Sequence, residues 1–299
     1  MDKEVRLKVA IQKSGRLTDH SLDLLVRCGL KYSRGKDQLL CYGENMPLDV
    51  LLMRDDDIPD LVQEDVCDLG IVGRNVVEEK RLGFIARGAL PLFIEMQPLD
   101  FGRCRLAVAV PDDFVYRTPQ DLDGKRIATT YPFILARWLK ANSIEAEVVT
   151  LSGAVEIAPR LGRADLICDL VSTGSTLQAN HLREVETVLE SQAMLIRTPV
   201  PLPATKEAWL ARLLLRIDGV QQVKESKYIM LHAPRTALAE IRRLLPGSEF
   251  PTVIPLEGTS DKVAVHAVCR ENVFWETLEA LKAAGASALL VLPVEKMLA

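Results

Sequence analysis

The chain has 299 residues, of which 48% are hydrophobic and 26% charged, and a formal net charge of -4. That length suits two or three domains, and the charge offers no general attraction for polyanions, so nucleic acid is excluded as an expected partner and a phosphate ligand needs a local cationic cluster. No window reaches about 18 consecutive apolar residues, which excludes a helical membrane span.

The N-terminal run Met1-Asp2-Lys3-Glu4-Val5-Arg6 lacks the basic-then-apolar pattern of a secretory signal, so the expected location is cytoplasmic. Residues 5–11 alternate apolar and polar side chains, which predicts a strand, and Lys13-Ser14-Gly15-Arg16 predicts a turn. Leu22, Leu24, Leu25 and Cys28 then fall at helical spacing until Gly29 stops the helix. A short apolar strand at 50–52 leads into Arg54-Asp55-Asp56-Asp57-Ile58-Pro59. Three acids suggest a metal site, but Asp57 before Ile-Pro reads better as a helix cap with the other two solvated. Arg54, at the strand end, is the more interesting residue.

Residues 65–73 put an acid before a short apolar strand that ends at a Gly turn, and 162–174 echo them. Between these lie Asp100-Phe101-Gly102-Arg103-Cys104-Arg105, where Gly102 is either a hinge with two cleft-facing arginines or part of a plain connecting loop, and a strand at 105–111. A second strand-turn-helix follows, with 124–130, the Tyr131-Pro132 turn and helical spacing over 134–139. Ser152-Gly153-Ala154-Val155-Glu156 is a weak candidate, since Ser at a helix start needs no function. The repeated order predicts two similar α/β lobes with mostly parallel sheets and a ligand in the cleft between them; chance similarity of short apolar runs is the alternative.

Three prolines at 197–203 predict a surface loop, and 206–218 a helix. Beyond residue 226 the pattern is strand 228–232, helix 236–245, strand 252–256, strand 262–269, helix 273–284 and strand 288–292. That βαββαβ order predicts a separate ferredoxin-like domain. The cysteines at 28, 41, 67, 104, 168 and 269 form no Cys-x-x-Cys pair, which argues against structural zinc and against a disulfide framework. His20 and His181 read as surface residues, His232 and His266 as hydrogen-bonded structural ones, and Trp138, Trp209 and Trp275 as core anchors.

The run with most chemistry is Asp169-Leu170-Val171-Ser172-Thr173-Gly174-Ser175-Thr176-Leu177. Small residues let backbone N–H groups approach an anion while hydroxyls add donors, so the turn either grips a phosphate or is a helix start capped by Ser and Thr. Asp169, at the strand end, suits ribose hydroxyls. Lys13 and Arg16 flank Gly15 in a second anion-friendly turn, which alone reads equally as an exposed basic loop.

Together these residues resemble the long-form ATP phosphoribosyltransferase family, the first enzyme of histidine biosynthesis. The likeness runs end to end through Gln12-Lys13-Ser14-Gly15-Arg16-Leu17, Glu44-Asn45-Met46-Pro47, the 54–59 run, Asp68-Leu69-Gly70-Ile71, the 169–177 run, Glu225-Ser226-Lys227-Tyr228-Ile229-Met230 and Leu292-Pro293-Val294-Glu295-Lys296-Met297. It implies an α/β protein with two periplasmic-binding-protein-like lobes plus a C-terminal ferredoxin-like, ACT-like domain that binds histidine. The expected division is 1–100 with 190–224 as the first catalytic lobe, 101–189 as the second, and 225–299 as the regulatory domain.

The resemblance further implies joining adenine N1 of ATP to C1 of phosphoribosyl pyrophosphate with release of pyrophosphate, dependence on Mg2+, histidine inhibition and a dimer/hexamer equilibrium. On that basis Lys13, Arg16 and Asp169 are the expected catalytic residues, and Asp169 with Ser172, Thr173, Gly174, Ser175 and Thr176 the phosphoribosyl pyrophosphate site. Arg54, Gly73 and Asp100 are expected on the nucleotide side, and His232 and Thr252 at the allosteric histidine site. One departure from other phosphoribosyltransferases stands out: many carry two adjacent acids before Thr-Gly-Gly-Thr, whereas here Leu170 follows Asp169 and the turn is Thr-Gly-Ser-Thr, so metal ligands are not identified. The rivals are a solute-binding protein of the same two-lobe fold and an amino-acid sensor; basic turns on both sides of the cleft favour an enzyme.

Overall fold

Two acids of the echoing segments do the same structural work, and they show how the first two sheets are built. Asp68 Oδ2 accepts the backbone N–H of Lys8 at 2.8 Å, and Asp165 Oδ2 accepts that of Arg126 at 2.9 Å. Each acid thereby ties the entry of one strand to its parallel neighbour, so the repetition in the sequence is a repetition in space. The computed structural model describes residues 6–33, 39–90, 93–223, 226–245, 251–269 and 275–297; Val5, Glu225, Val273 and the 224/225 boundary lie outside them.

The first sheet takes β1 (Leu7–Gln12), β2 (Tyr32–Ser33), β3 (Leu40–Gly43), β4 (Leu48–Met53), β5 (Leu69–Gly73), β6 (Ile94–Pro98) and, from much later in the chain, β12 (Ala193–Arg197). Its order is β2-β3-β4-β1-β5-β12-β6. Helices α1 (Thr18–Arg27), α2 (Ile58–Gln63) and α3 (Arg74–Ala86) connect its strands. The second sheet takes β7 (Cys104–Pro111), β8 (Arg126–Thr129), β9 (Glu147–Thr150), β10 (Leu166–Val171) and β11 (Leu182–Ser191), ordered β11-β7-β10-β8-β9, with helices α4 (Pro132–Ala141) and α5 (Ser175–Ala179).

The expectation of mostly parallel sheets is corrected: β1 pairs in parallel with β4 and β5, and β8 with β9 and β10, while the remaining pairs, including β12 with β5 and β6 and β7 with β10 and β11, are antiparallel. The reason is connectivity. The chain leaves the first sheet at β6, enters the second at β7, and comes back from β11 into β12, which inserts antiparallel between β5 and β6. The two sheets are therefore joined by two short crossings, near Gly102 and Gln192. Gly102 has φ +66 and a Cβ there would sit 2.2 Å from Leu17, so the outward crossing needs glycine.

Each sheet has its own core. Ile58, Val62, Val72 and Ile196 pack on the first, and Leu106, Ile127, Ile134 and Leu166 on the second. Trp138 packs partly buried against that second cluster. By contact the chain divides at Met1–Trp209 and Leu210–Ala299, with both sheets in the first unit. Helix α6 (Ala204–Gln221) follows the proline loop.

The second unit holds β13 (Lys227–Pro234), α7 (Leu238–Leu244), β14 (Thr252–Pro255), β15 (Lys262–Cys269), α8 (Trp275–Ala283) and β16 (Ser287–Pro293). Its sheet order β14-β15-β13-β16 is the ferredoxin-like one, all antiparallel. Ile229, Leu231, Val263 and Val265 form its core with Ile241 and Leu281 from the two helices. Trp275 is not a core anchor: it opens α8 with 77% of its surface exposed, while the helix buries Leu281 instead. Among the described residues, no helix is long and apolar enough to cross a membrane.

Candidate functional site

The turn after β1 is shaped by its own sequence. Gly15 takes φ +123, and the space its Cβ would need is filled by the Gln12 side chain, whose Oε1 accepts the Leu17 N–H at 3.0 Å. That closure turns Lys13, Ser14 and Arg16 outward, and all three are exposed. Arg16 reaches the other sheet: its Nη1 donates to Ser172 Oγ at 3.3 Å.

Ser172 opens the turn after β10. Gly174 sits at φ +82 with nothing near its missing Cβ, so backbone conformation rather than space requires glycine there. Of the two readings of this turn, the Ser/Thr cap holds only in part: Gly174 is the N-cap residue, and the Thr173 hydroxyl accepts the Ser175 N–H at 3.5 Å. The Thr173 and Ser175 hydroxyls also hydrogen-bond each other at 3.1 Å, since the left-handed Gly174 turns both to one side of the loop. Helix α5 has five residues, so whatever anion affinity the turn has comes from its amides and hydroxyls more than from a helix dipole.

Arg16, Glu156, Asp169, Ser172 and the 173–177 turn line one cavity of about 200 Å³. Asp169 lies largely buried at its floor. Burial holds its carboxyl above the usual carboxylate range and Glu156 adds to this, while the Leu170 N–H at 2.8 Å and Arg16 pull it down. A larger cavity of about 480 Å³, lined by Asp112, Asp113, Arg160 and His181 among others, adjoins at Glu156. It contains neither Arg16 nor Asp169, so the smaller one is the candidate site.

Three residues of this region lie outside the expected set of site residues. Glu156 belongs to the weak 152–156 candidate, and a left-handed Ala154 turns it into the cavity. Asp55 is expected to be solvated, which is corrected, and Asp57 to be a helix cap, which holds for its position as the N-cap residue of α2. Asp55–Asp57 form a 3-10 turn that runs directly into α2, and Asp57, already in helical conformation, makes no capping bond. The turn folds Asp55 inward, where its Oδ1 is buried without a hydrogen-bond partner among the described residues. Burial pushes its carboxyl up to about 6; the Asp56 charge adds to the rise and Arg16 opposes it.

Tyr131 is the third. It starts α4, its hydroxyl accepts from Asn75 Nδ2 at 2.9 Å, and burial together with the charges of Asp55, Asp56 and Asp169 holds its phenol well above normal. Tyr131 thus feels both Asp55 and Asp169, and Arg16 acts on both carboxyls. A signal existed for Asp55 and Tyr131: each follows the C-terminal end of a parallel strand, where α/β sheets place ligands.

The other expected site residues are dispersed. Arg54 is exposed at the end of β4. Gly73 is buried against Asn75, whose Oδ1 would lie 2.4 Å from a Cβ there. Asp100 pairs with Arg103 at 2.6 Å. Arg105 is clasped by both oxygens of Glu184, and its Nη1 lies 3.5 Å from the Ser172 carbonyl, so it braces the turn from behind. Among the described residues, no group of three His, Cys, Asp or Glu side chains is placed to hold a metal. In the C-terminal unit, β13 runs on to Pro234, so His232 is not at the strand end. Thr252 pairs with His266, whose Nδ1 is 2.5 Å from the Tyr228 hydroxyl, and His232 pairs with Ala264.

A family profile described as ATP phosphoribosyltransferase (HisG) matches residues 54–219, and one for the HisG C-terminal domain matches 224–296. The chain belongs to the ATP phosphoribosyltransferase family. Membership makes it a pentosyltransferase of the histidine pathway. A solved ATP phosphoribosyl transferase (HisG:HisZ) complex from Thermotoga maritima is 26% identical with a TM-score of 0.56, over 71% of this ATP phosphoribosyltransferase chain and 98% of that one. The alkanesulfonate-binding protein SsuA from Xanthomonas axonopodis pv. citri is 14% identical with a TM-score of 0.45, over 81% of this chain and 78% of that one. The Bordetella pertussis BvgS periplasmic VFT2 domain is 14% identical with a TM-score of 0.46, over 72% and 87%. These last two do not bear on function.

Proposed function

We propose that the chain condenses ATP, through adenine N1, with phosphoribosyl pyrophosphate to give N1-(5-phosphoribosyl)-ATP and pyrophosphate in the cytoplasm, the first step of histidine biosynthesis, under feedback inhibition by histidine. The observation that carries this reading, beside family membership, is the reach of Arg16 from the first lobe to Ser172 in the turn beside Asp169. The 173–176 amides and hydroxyls hold the 5′-phosphate, Asp169 accepts ribose hydroxyls, and Lys13 and Arg16 meet phosphate oxygens. Arg54, Gly73 and Asp100 shape the nucleotide side.

The chemistry needs no general base. Adenine N1 attacks with a free lone pair, and the barrier lies in breaking the C1–O bond as negative charge gathers on pyrophosphate. Catalysis therefore rests on positioning two substrates and on cations at the leaving group. Mg2+ is carried by substrate phosphates and water, as part of the substrate.

The regulatory reading is that histidine binds the C-terminal sheet near His232 and Thr252 and biases an equilibrium between dimers and hexamers. The T. maritima relative's description as a HisG:HisZ complex is consistent with assembly in this family. The deciding assay mixes the protein, ATP, phosphoribosyl pyrophosphate and Mg2+ with removal of pyrophosphate, and follows the N1-ribosylated product by ultraviolet absorbance. Product that depends on both substrates supports the reading; folded protein with no product overturns it.

A further inference from the structure

Asp55 is a carboxyl that the fold holds in place at a cost. Its Oδ1 is buried with no partner among the described residues, at the C-terminal end of the β4 strand, where the parallel strands of the first lobe end. A buried acceptor without a donor costs about 1–3 kcal/mol, and such groups usually await a ligand, ion or water. Its neighbours on the same turn, Asp56 and Asp57, are exposed. Arg16 lies within electrostatic reach of both Asp55 and Asp169, and Tyr131 feels both from α4. Asp55 in the first lobe and Asp169 in the second thus act on the same cation, Arg16, whose guanidinium reaches the turn beside Asp169.

We propose that Asp55 binds the 6-amino group of the ATP adenine and, through it, stabilises the positive charge that grows on the base as N1 bonds to C1. This rests on the reaction proposed above and names the group that recognises its nucleophile. A carboxylate oxygen accepting the N6–H on the N7 side leaves the N1 lone pair open. That pair forms the N1–C1 bond while the C1–O bond breaks and its electrons leave with pyrophosphate. The adenine, now substituted at N1, carries a positive charge spread over N1, C6 and N6, and the proton stays on N6. The hydrogen bond from N6 to Asp55 is thus neutral-to-charged in the substrate complex and charged-to-charged in the transition state. Interactions that strengthen along the reaction lower its barrier.

The groups facing Asp55 set when it is ionised: Asp56 on its own turn, Arg16 from the turn after β1, and Tyr131 from α4. With the carboxyl at about 6 in the free protein, kcat/KM should fall on the acid side of neutrality.

The test uses the full-length protein, wild type and Asp55→Asn, which keeps shape and removes charge. Expected for the variant are a kcat lower by roughly 30- to 100-fold, loss of the acid limb of kcat/KM near pH 6, and phosphoribosyl pyrophosphate affinity by calorimetry within about twofold of wild type, since other residues hold that substrate. A binding readout independent of turnover is N1-methyl-ATP, whose base already carries the positive charge. Wild type should prefer it to ATP by about tenfold or more, and Asp55→Asn should show no preference. A variant with wild-type kcat and acid limb, or with the same N1-methyl-ATP preference, overturns the assignment. A wild-type protein that makes no product overturns the proposed reaction instead.

Discussion

Glu79, on α3 in the first lobe, accepts the backbone N–H of Phe133, on α4 in the second, at 2.9 Å, and its other oxygen accepts that of Ile134 at the same distance. Helix α4 begins with Pro132, which has no N–H, and its N-cap residue Tyr131 makes no side-chain cap. The helix therefore borrows its cap from the opposite lobe. The same seam carries Glu78 with Arg137, and Asn75 with both Tyr131 and Ser191. Glu79→Ala should cost about 1–2 kcal/mol and lower Tm by roughly 3–8 °C. Thermal denaturation checks this; an unchanged Tm would mean that water replaces the cap without loss.

Asp55 gives a stability prediction with a definite sign. Its folded-state pKa, about 6, lies above the ordinary 3.8, so the folded protein binds that proton more tightly than the unfolded chain. The stabilisation is complete below about pH 4 and is lost as pH rises through about 6. Asp55→Asn should therefore raise stability at pH 8 by about 1–2 kcal/mol and leave it nearly unchanged at pH 4. Urea denaturation at the two pH values decides it. Equal effects at both would show that the substitution acts through packing.

Arg16 is the cation shared by both carboxyls, and it donates to the Ser172 hydroxyl. Arg16→Ala should lower kcat/KM by roughly 100- to 1,000-fold, and Arg16→Lys should recover only part of it because a point charge cannot span two partners. Removing the cation also lets Asp55 and Asp169 rise further, so the acid limb of kcat/KM should move to higher pH in Arg16→Ala. A limb that stays in place would separate Arg16 from both carboxyls.

The turn after β10 depends on the left-handed conformation of Gly174. A side chain there meets open space but a strained backbone, costing about 1–2 kcal/mol in the bound loop. Gly174→Val should weaken phosphoribosyl pyrophosphate binding by roughly tenfold or more, with Thr176→Ala following in the same direction, and ATP binding should change little. Calorimetry with each substrate separately tests this. Equal losses for both substrates would return the turn to a structural role.

Elements with strong periodicity were legible in the sequence: β15 at 262–269 matches residue for residue, and the echo of 65–73 and 162–174 marks the equivalent strands β5 and β10 of the two sheets. The antiparallel flanks were not, because β12 reads like any apolar run and only long-range insertion between β5 and β6 gives it a place. At the site, Arg16, Asp169 and the 172–176 turn come together as their Gly-containing turns suggested. Asp55, Tyr131 and Glu156 were hidden because their roles depend on direction. A triple-Asp run looks solvated until a 3-10 turn folds its first member inward, and a Tyr-Pro turn gives no hint that its phenol will meet Asn75.

The C-terminal sheet allows a regulatory prediction. Its helices cover the face of Ile229, Leu231, Val263 and Val265, which leaves the alternate residues on the open face. Cross-strand partners share a face, so Thr252, His266 and Met230 form one row of that face and Ile254, Ala264 and His232 the next. Thr252 and His232 thus share a surface but stand two strands apart, about 10 Å by strand spacing alone. A single histidine ligand of ordinary size spans that distance only by lying across β15 and meeting His266 between them. His232→Ala and Thr252→Val should each raise the histidine concentration for half-inhibition by roughly tenfold while kcat without histidine stays within about twofold. His266→Ala should do the same or more. Inhibition curves that superimpose on wild type for all three variants would remove histidine from this face and direct the search to the edges of the sheet.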